Sequence, residues 1–344
     1  MTGLTSSPPG NDGATFELGR RSALGLVAAT ALGMVPLPIP ASPASSRLRF
    51  EVSGLEHLIV RHRRIAIEGQ DIFYREAGRP DAPAVLLLHG FPTSSHMFRH
   101  LIPALADRYR VVAPDYPGFG QSASLDRRFR HSFETLARIV EAFTDAVRLT
   151  SYAIYIQDYG APIGLRLALA RPDRVQALII QNGNAYEEGL SEGWTPLRAY
   201  WSEPTAENRA ELHGWLNAEG VRLQYVAGAP EGEIERFAPE SWVLDWHRMA
   251  QPGSIDYQLD LFGDYKSNVD LYPAFQAFFR ERRPPALIAW GRYDPFFTVQ
   301  GAEAYLRDLP DAELHFVDAG HFALESHAPD LIALIRDFLG RRVS

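Results

Sequence analysis

One acidic residue, Asp158, lies at a position where its side chain can act as a nucleophile. The apolar run YAIYIQ, typical of a buried strand, ends at Gln157, and a helix is predicted to begin near Gly160. Asp158 lies in the tight turn between them, and the small residues after it give the crowded backbone room. A lone Asp at a strand end is more often a helix N-cap. Interpreting Asp158 as a nucleophile therefore depends on which side chains the fold brings beside it.

Two further side chains follow predicted strands at the same edge of the sheet. Asp294, in WGRYDPF, comes just after the next-to-last strand, and His321, in DAGHF, comes just after the last one. Because an acid that orients a histidine beside a nucleophile forms a catalytic triad, Asp158, Asp294 and His321 are the candidate catalytic residues. The backbone N–H groups of Phe91, in HGFP, and of Tyr159 are predicted to form an oxyanion hole.

The chain alternates short apolar runs with helical segments. The predicted strands are two alternating segments, 57–69 and 70–78, and six apolar runs, 84–90, 110–114, 152–157, 175–181, 286–291 and 313–318. The predicted helices of this part are 95–107, 132–148, 161–170, 299–308 and 327–340. Continuous apolar strands are typical of parallel sheets buried on both faces. The pattern predicts an α/β fold with a mainly parallel eight-stranded sheet flanked by helices.

Residues 184–272 interrupt this alternation. The segment contains no strong strand, is helical in its periodicity in places, and holds five of the six tryptophans, which are Trp194, Trp201, Trp215, Trp242 and Trp246. It is interpreted either as a helical lid inserted over the carboxyl edge of the sheet or as a second domain with its own core. We favour the lid, since open α/β sheets bind ligands at that edge. Residues 45–183 and 273–344 then form the two parts of one core domain.

The first 44 residues have the composition of an export signal. A polar segment is followed by the pair Arg20-Arg21, a short apolar stretch over 22–35, and a Pro-rich segment with small residues. This pattern resembles a twin-arginine signal peptide and predicts a periplasmic or secreted protein. The alternative is an Ala-rich tail in which the arginine pair occurs by chance.

Charge and composition exclude several classes of protein. The 344 residues carry 34 Lys and Arg against 42 Asp and Glu, a formal net charge of −8, which disfavours a nucleic-acid partner. The absence of cysteine excludes disulfides, thiol catalysis and thiolate metal sites. No apolar run is long enough for a membrane span, and no His and carboxylate cluster has the spacing of metal ligands. We expect neither a metal nor another cofactor.

Five motifs taken together, HGFPTSSHMFR, PDYPGFGQS, QDYGAPIG, WGRYDPF and DAGHF, resemble the α/β-hydrolase branch of haloalkane dehalogenases, epoxide hydrolases and fluoroacetate dehalogenases. The resemblance covers about residues 56–340. It implies that Asp158 attacks an sp³ carbon to form an alkyl-enzyme ester. It further implies that His321, oriented by Asp294, activates the water that cleaves this ester.

The resemblance also bears on whether the leaving group is a halide or the oxygen of an epoxide. Dehalogenases typically bind the halide through an Asn or Glu after the His-Gly pair and a Trp after the nucleophile, whereas this chain has Phe91 and Tyr159 there. Epoxide hydrolases carry His-Gly-x-Pro and lid tyrosines that protonate the ring oxygen. Tyr265 and Tyr200 are the candidates for that role. Trp201, Phe296 and Phe322 are expected to line a pocket for a small apolar substrate.

Epoxide hydrolysis to a diol is therefore the leading hypothesis. The alternative is a haloalkane dehalogenase whose halide site uses side-chain donors other than the usual ones. Trp201 is one candidate donor to the halide. An esterase or lactonase, and a binding module that has lost catalysis, are further alternatives. The complete set of Asp158, Asp294 and His321 argues against the binding module.

Overall fold

The computed structural model describes residues 56–122 and 130–343. The predicted export signal over 1–44, and the first residues of the predicted core domain, lie outside these ranges. Among the described helices, none is both long and apolar enough to cross a membrane.

The predicted eight-stranded sheet is confirmed. The strands are Arg61–Ile67 (β1), Gln70–Ala77 (β2), Ala84–Leu88 (β3), Arg110–Pro114 (β4), Tyr152–Gln157 (β5), Val175–Gln181 (β6), Ala286–Gly291 (β7) and Glu313–Val317 (β8). Their order in the sheet is β1-β2-β4-β3-β5-β6-β7-β8. β2 is antiparallel to both of its neighbours, while β3 to β8 pair in parallel. The predicted hairpin is therefore the antiparallel edge of a parallel sheet.

Helices cover both faces of the sheet. The described helices are Leu101–Leu105 (α1), Phe133–Ala146 (α2), Gly160–Ala170 (α3), Thr195–Ser202 (α4), Ala206–Glu211 (α5), Ala218–Val226 (α6), Pro239–Met249 (α7), Ser254–Asp264 (α8), Lys266–Asp270 (α9), Tyr272–Arg282 (α10), Val299–Asp308 (α11), Ala323–Ser326 (α12) and Ala328–Arg342 (α13). Successive residues of β3 belong to different apolar clusters. Leu86 lies in the cluster that includes residues of α2 and α3, whereas Leu87 lies in the cluster that includes residues of α1 and α13. Burial on both faces explains why the strand is apolar throughout.

The segment between β6 and α10 is helical and carries no strand of the sheet. α4 to α9 lie here, joined by short 3₁₀ turns. Trp194, Leu197 and Tyr265 from this segment belong to the same apolar cluster as Leu86 of the sheet, and all described residues fall within one compact unit. This shared core fits a lid better than a second domain with a core of its own. The segment is called the lid below.

Candidate active site

Asp158 occupies a strained turn between β5 and α3. Its φ is +49°, a left-handed conformation that side-chain-bearing residues adopt at a cost. The turn is tight because α3 begins two residues later, at Gly160, where a Cβ atom would lie 2.2 Å from the carbonyl oxygen of Leu88. Gly160 therefore has no room for a side chain. The predicted turn that lifts Asp158 off the end of a buried strand is present.

The structure brings Asp158, Asp294 and His321 together as the sequence predicted. His321 Nδ1 lies 2.7 Å from Asp294 Oδ2, and His321 Nε2 lies 3.8 Å from Asp158 Oδ2. All three side chains are buried. Because Nδ1 donates its proton to Asp294, Nε2 carries the lone pair and is the nitrogen directed at the nucleophile.

Three donors besides His321 hold Asp294. Asn182 Nδ2 donates to Oδ2 at 2.7 Å, while the backbone N–H groups of Phe296 and Phe297 donate to Oδ1 at 2.7 and 3.1 Å. These bonds fix the orientation of the Asp294 carboxylate. Sequence reasoning missed Asn182, although it directly follows β6, between the strands that carry Asp158 and Asp294.

A backbone donor already holds one oxygen of the nucleophile. The Phe91 N–H donates to Asp158 Oδ1 at 2.6 Å, and the Tyr159 N–H also favours the ionised carboxylate. A Cβ atom on Gly90 would lie 2.3 Å from Asp158 Cβ, so only glycine allows this approach. The predicted oxyanion donor Phe91 therefore binds Oδ1, and Oδ2 lies on the side of His321.

Burial and charge shift the titration of both partners. Burial raises the pKa of Asp158 above its ordinary value, and His321 and the Phe91 and Tyr159 N–H groups oppose that rise. Burial lowers the pKa of His321, but the charge of Asp294, the hydrogen bond to it and the charge of Asp158 outweigh this and raise the pKa above its ordinary value. The basicity of His321 therefore depends partly on Asp158 being charged.

Gln157 contacts the histidine directly. Its Nε2 lies 3.0 Å from His321 Nε2, and its Oε1 is buried without a hydrogen-bond partner. The amide therefore occupies the face of the imidazole that a water molecule must reach. Sequence reasoning used Gln157 only to mark the end of a strand. A polar residue closing an otherwise apolar run was the available signal.

A small cavity adjoins Asp158. Its volume is about 30 Å³, and a water molecule needs about 10–15 Å³. The lining residues are Phe91, Asp158, Tyr159, Trp194, Leu197, Trp215, Gln224, Phe262, Tyr265 and Phe296. In this conformation the cavity therefore has room for one or two water molecules. Of the predicted pocket residues, Phe296 lines this cavity, as does Tyr265.

Tyr265 places a buried hydroxyl at the cavity, next to the hydroxyl of Tyr272. Burial raises its pKa well above the ordinary value, and the Tyr272 hydroxyl and the charge of Asp158 add to the rise. The Tyr265 hydroxyl is therefore protonated throughout the neutral range, as a hydrogen-bond donor must be.

Three residues expected at the site do not line the cavity. The Tyr200 hydroxyl accepts a hydrogen bond from Arg209 at 3.2 Å, and the Trp201 indole N–H donates to the Phe262 carbonyl at 2.8 Å. Phe322 stacks on Tyr225 with ring centroids 4.0 Å apart. Expecting these side chains in the pocket was wrong, because neighbouring groups in the lid already engage them.

The lid supplies cavity residues that sequence reasoning did not assign. Trp194, Leu197, Trp215, Gln224 and Phe262 all come from it. The clustered lid aromatics were the available signal for the tryptophans, but nothing in the sequence distinguished the cavity-facing ones. Among residues 56–122 and 130–343, no group of three or more His, Asp or Glu side chains could hold a metal ion.

Comparisons with known proteins identify the family of this chain. The alpha/beta hydrolase fold family matches residues 83–328, so the chain belongs to that family. A Saccharomyces cerevisiae protein named uncharacterized hydrolase YNR064C is 42% identical over 278 residues, which cover 79% of this chain and 95% of that protein. A haloalkane dehalogenase of Bradyrhizobium diazoefficiens is 41% identical over 116 residues, which cover 34% of this chain and 37% of that protein.

A solved structure shows the same fold. The epoxide hydrolase VrEH1 from Vigna radiata superposes with a TM-score of 0.65 at 22% identity, over 82% of this chain and 98% of that one. At this identity the similarity concerns the fold alone. The chain is thus similar in part of its sequence to a protein named as a haloalkane dehalogenase, and in fold to one named as an epoxide hydrolase.

Proposed function

We propose that this hydrolase opens epoxides to diols through an ester on Asp158. The observation that carries the proposal is the buried Tyr265 side chain, which carries a hydroxyl and lines the same cavity as Asp158. A strained ether oxygen needs a proton as its carbon–oxygen bond breaks, since an alkoxide is a poor leaving group. Tyr265 supplies that proton in the proposed reaction.

The first step forms the ester. Asp158 Oδ2 attacks an epoxide carbon, the carbon–oxygen bond of the ring breaks, and the ring oxygen takes the Tyr265 proton. The carboxylate needs no base for this displacement, because it is ionised before it attacks. The Phe91 N–H at 2.6 Å holds Oδ1 and so aims Oδ2 at the substrate.

The second step cleaves the ester. Esterification removes the charge of Asp158, one of the groups that raise the pKa of His321, so the free base becomes more accessible at neutral pH. His321 Nε2 takes a proton from water as the oxygen adds to the Asp158 carboxyl carbon. The oxyanion forms on Oδ1, where the Phe91 and Tyr159 N–H groups stabilise it. Collapse expels the ester oxygen as an alkoxide, which takes the proton of the hydroxyl that water left on the Asp158 carboxyl carbon, so that the diol is released and the carboxylate restored. The proton held by His321 returns Tyr265 to its hydroxyl form.

Haloalkane dehalogenation is the second candidate, and one observation favours it. The Trp215 indole lines the cavity, and its N–H has no hydrogen-bond partner among the described residues. A halide leaving Asp158 needs such a donor. Trp194 and Trp201 are less suitable, since their N–H groups already donate to the carbonyls of Phe296 and Phe262.

Replacing His321 by Gln should stop the reaction at the ester. We expect the variant to consume about one equivalent of substrate and to hold it on Asp158, because the nucleophile remains and the base is gone. Intact-protein mass spectrometry with peptide mapping measures the adduct. Its mass equals the whole epoxide if a ring opens, and the alkyl group alone if a halide leaves.

Two control variants accompany this experiment. Asp158→Asn should form no adduct, because an amide is a far weaker nucleophile than a carboxylate. His213→Gln, which changes an exposed lid histidine, should turn over normally. An adduct mapped to a residue other than Asp158 would contradict the proposed mechanism.

Tyr265→Phe should slow the alkylation of Asp158 by an epoxide by about 100-fold or more, the usual contribution of a positioned acid. Hydrolysis of the ester should change little, since the proton is needed only at ring opening. Rapid-quench kinetics separate the two steps, and Tyr200→Phe is the matched control because its hydroxyl contacts Arg209 outside the cavity. Equal alkylation rates in Tyr265→Phe and wild type would remove Tyr265 from the mechanism.

We also propose that residues 1–44 direct export through the twin-arginine route. The support is the sequence pattern of Arg20-Arg21 followed by a short apolar stretch. Changing both arginines to lysine should retain the protein in the cytoplasm, as measured by fractionation of expressing cells. Equal export of the two forms, or an exported protein that keeps residues 1–44, would refute the signal.

A further inference from the structure

The side chain of Gln224 is buried in the cavity without a partner. It is 5% exposed and lines the same space as Asp158. Its amide makes no hydrogen bond to any residue within 56–122 and 130–343. The rest of the wall is aromatic or aliphatic, apart from Asp158, the hydroxyls of Tyr159 and Tyr265 and the indole N–H of Trp215. Buried side-chain amides are normally hydrogen-bonded, so a group that enters the cavity is the natural partner.

Neighbouring contacts hold Gln224 in place. Tyr225, the next residue of α6, stacks on Phe322 at 4.0 Å between ring centroids, with an interplanar angle of 18°. The Tyr225 hydroxyl donates to the buried carboxyl group of Asp245 on α7. Phe322 directly follows His321. This end of α6 is therefore fixed to the core beside the candidate base, and the Gln224 amide is preorganised toward the cavity.

The residues that line the cavity limit the classes of chemical group that Gln224 can bind. A hydrocarbon would leave the amide unsatisfied and would displace any water that served it. An anion is also disfavoured, since the lining residues include Asp158 and no Lys, Arg or His. A neutral group that accepts or donates hydrogen bonds fits both constraints.

We propose that Gln224 selects substrates that carry a neutral polar substituent, such as a hydroxyl, carbonyl or amide, close to the reacting carbon. The inference rests on the proposed function and specifies its substrate class. It replaces the expectation of a purely apolar substrate. The amide donates to, or accepts from, the substituent while Asp158 attacks the epoxide.

A matched substrate pair tests the proposal. Glycidamide and 3-methyl-1,2-epoxybutane share the epoxide, and their substituents, a carboxamide and an isopropyl group, are close in shape. We expect wild-type kcat/KM to be about tenfold or more higher for glycidamide, because only its substituent satisfies Gln224. Gln224→Met keeps the length of the side chain without its amide. It should bring the ratio of kcat/KM for glycidamide to kcat/KM for 3-methyl-1,2-epoxybutane close to one.

Gln300→Met, the same replacement at an exposed position of α11, should keep the wild-type ratio. Equal kcat/KM for both epoxides in wild type would overturn the Gln224 proposal while leaving epoxide hydrolysis intact. This arm needs no variant, so it holds even if Gln224→Met fails to fold. An undiminished glycidamide preference in folded Gln224→Met would also overturn it. If neither epoxide reacts with wild type or alkylates His321→Gln, the proposed function fails and the Gln224 proposal fails with it.

Discussion

The left-handed turn at Asp158 is the constraint on which the rest of the site depends. It holds a buried carboxyl group at the end of a buried strand, with φ at +49° and Gly160 pressed against the Leu88 carbonyl. Because the backbone leaves the strand so sharply, the side chain reaches both the Phe91 N–H and His321. A relaxed strand end would lose one of these contacts. The strained conformation persists because the packed sheet and α3 leave the turn no alternative.

The electrostatics of the site follow from that burial. Two carboxyl groups flank one histidine, and the charge of each raises the pKa of His321. In the proposed mechanism the first step neutralises Asp158, so forming the intermediate itself prepares the base for the second step. A serine nucleophile starts neutral and needs the base from the beginning. An aspartate nucleophile lets one histidine remain idle during alkylation and act only afterwards.

The positions of residues just after predicted strands were enough to predict the candidate catalytic residues. A parallel sheet brings the carboxyl ends of its strands to one edge, wherever those strands occur in the sequence. Asp158, Asp294 and His321 were found in this way. Tyr200, Trp201 and Phe322 were misplaced, since the direction of a lid side chain depends on packing that no periodicity encodes. Gln157 and Gln224 were missed for a related reason. The importance of Gln157 lies in its contact with His321 Nε2, and that of Gln224 in an amide with no hydrogen-bond partner among the described residues. Such features exist only in three dimensions.

A single turnover in H₂¹⁸O tests the central claim, that product oxygen comes from Asp158 and not directly from water. With enzyme in excess over epoxide, water attacks the Asp158 carboxyl carbon and the ester oxygen leaves with the product. The first diol should therefore carry no ¹⁸O, and the peptide containing Asp158 should gain about 2 Da. A diol labelled in the first turnover, with an unlabelled Asp158 peptide, would show direct attack of water on the epoxide and contradict the ester route.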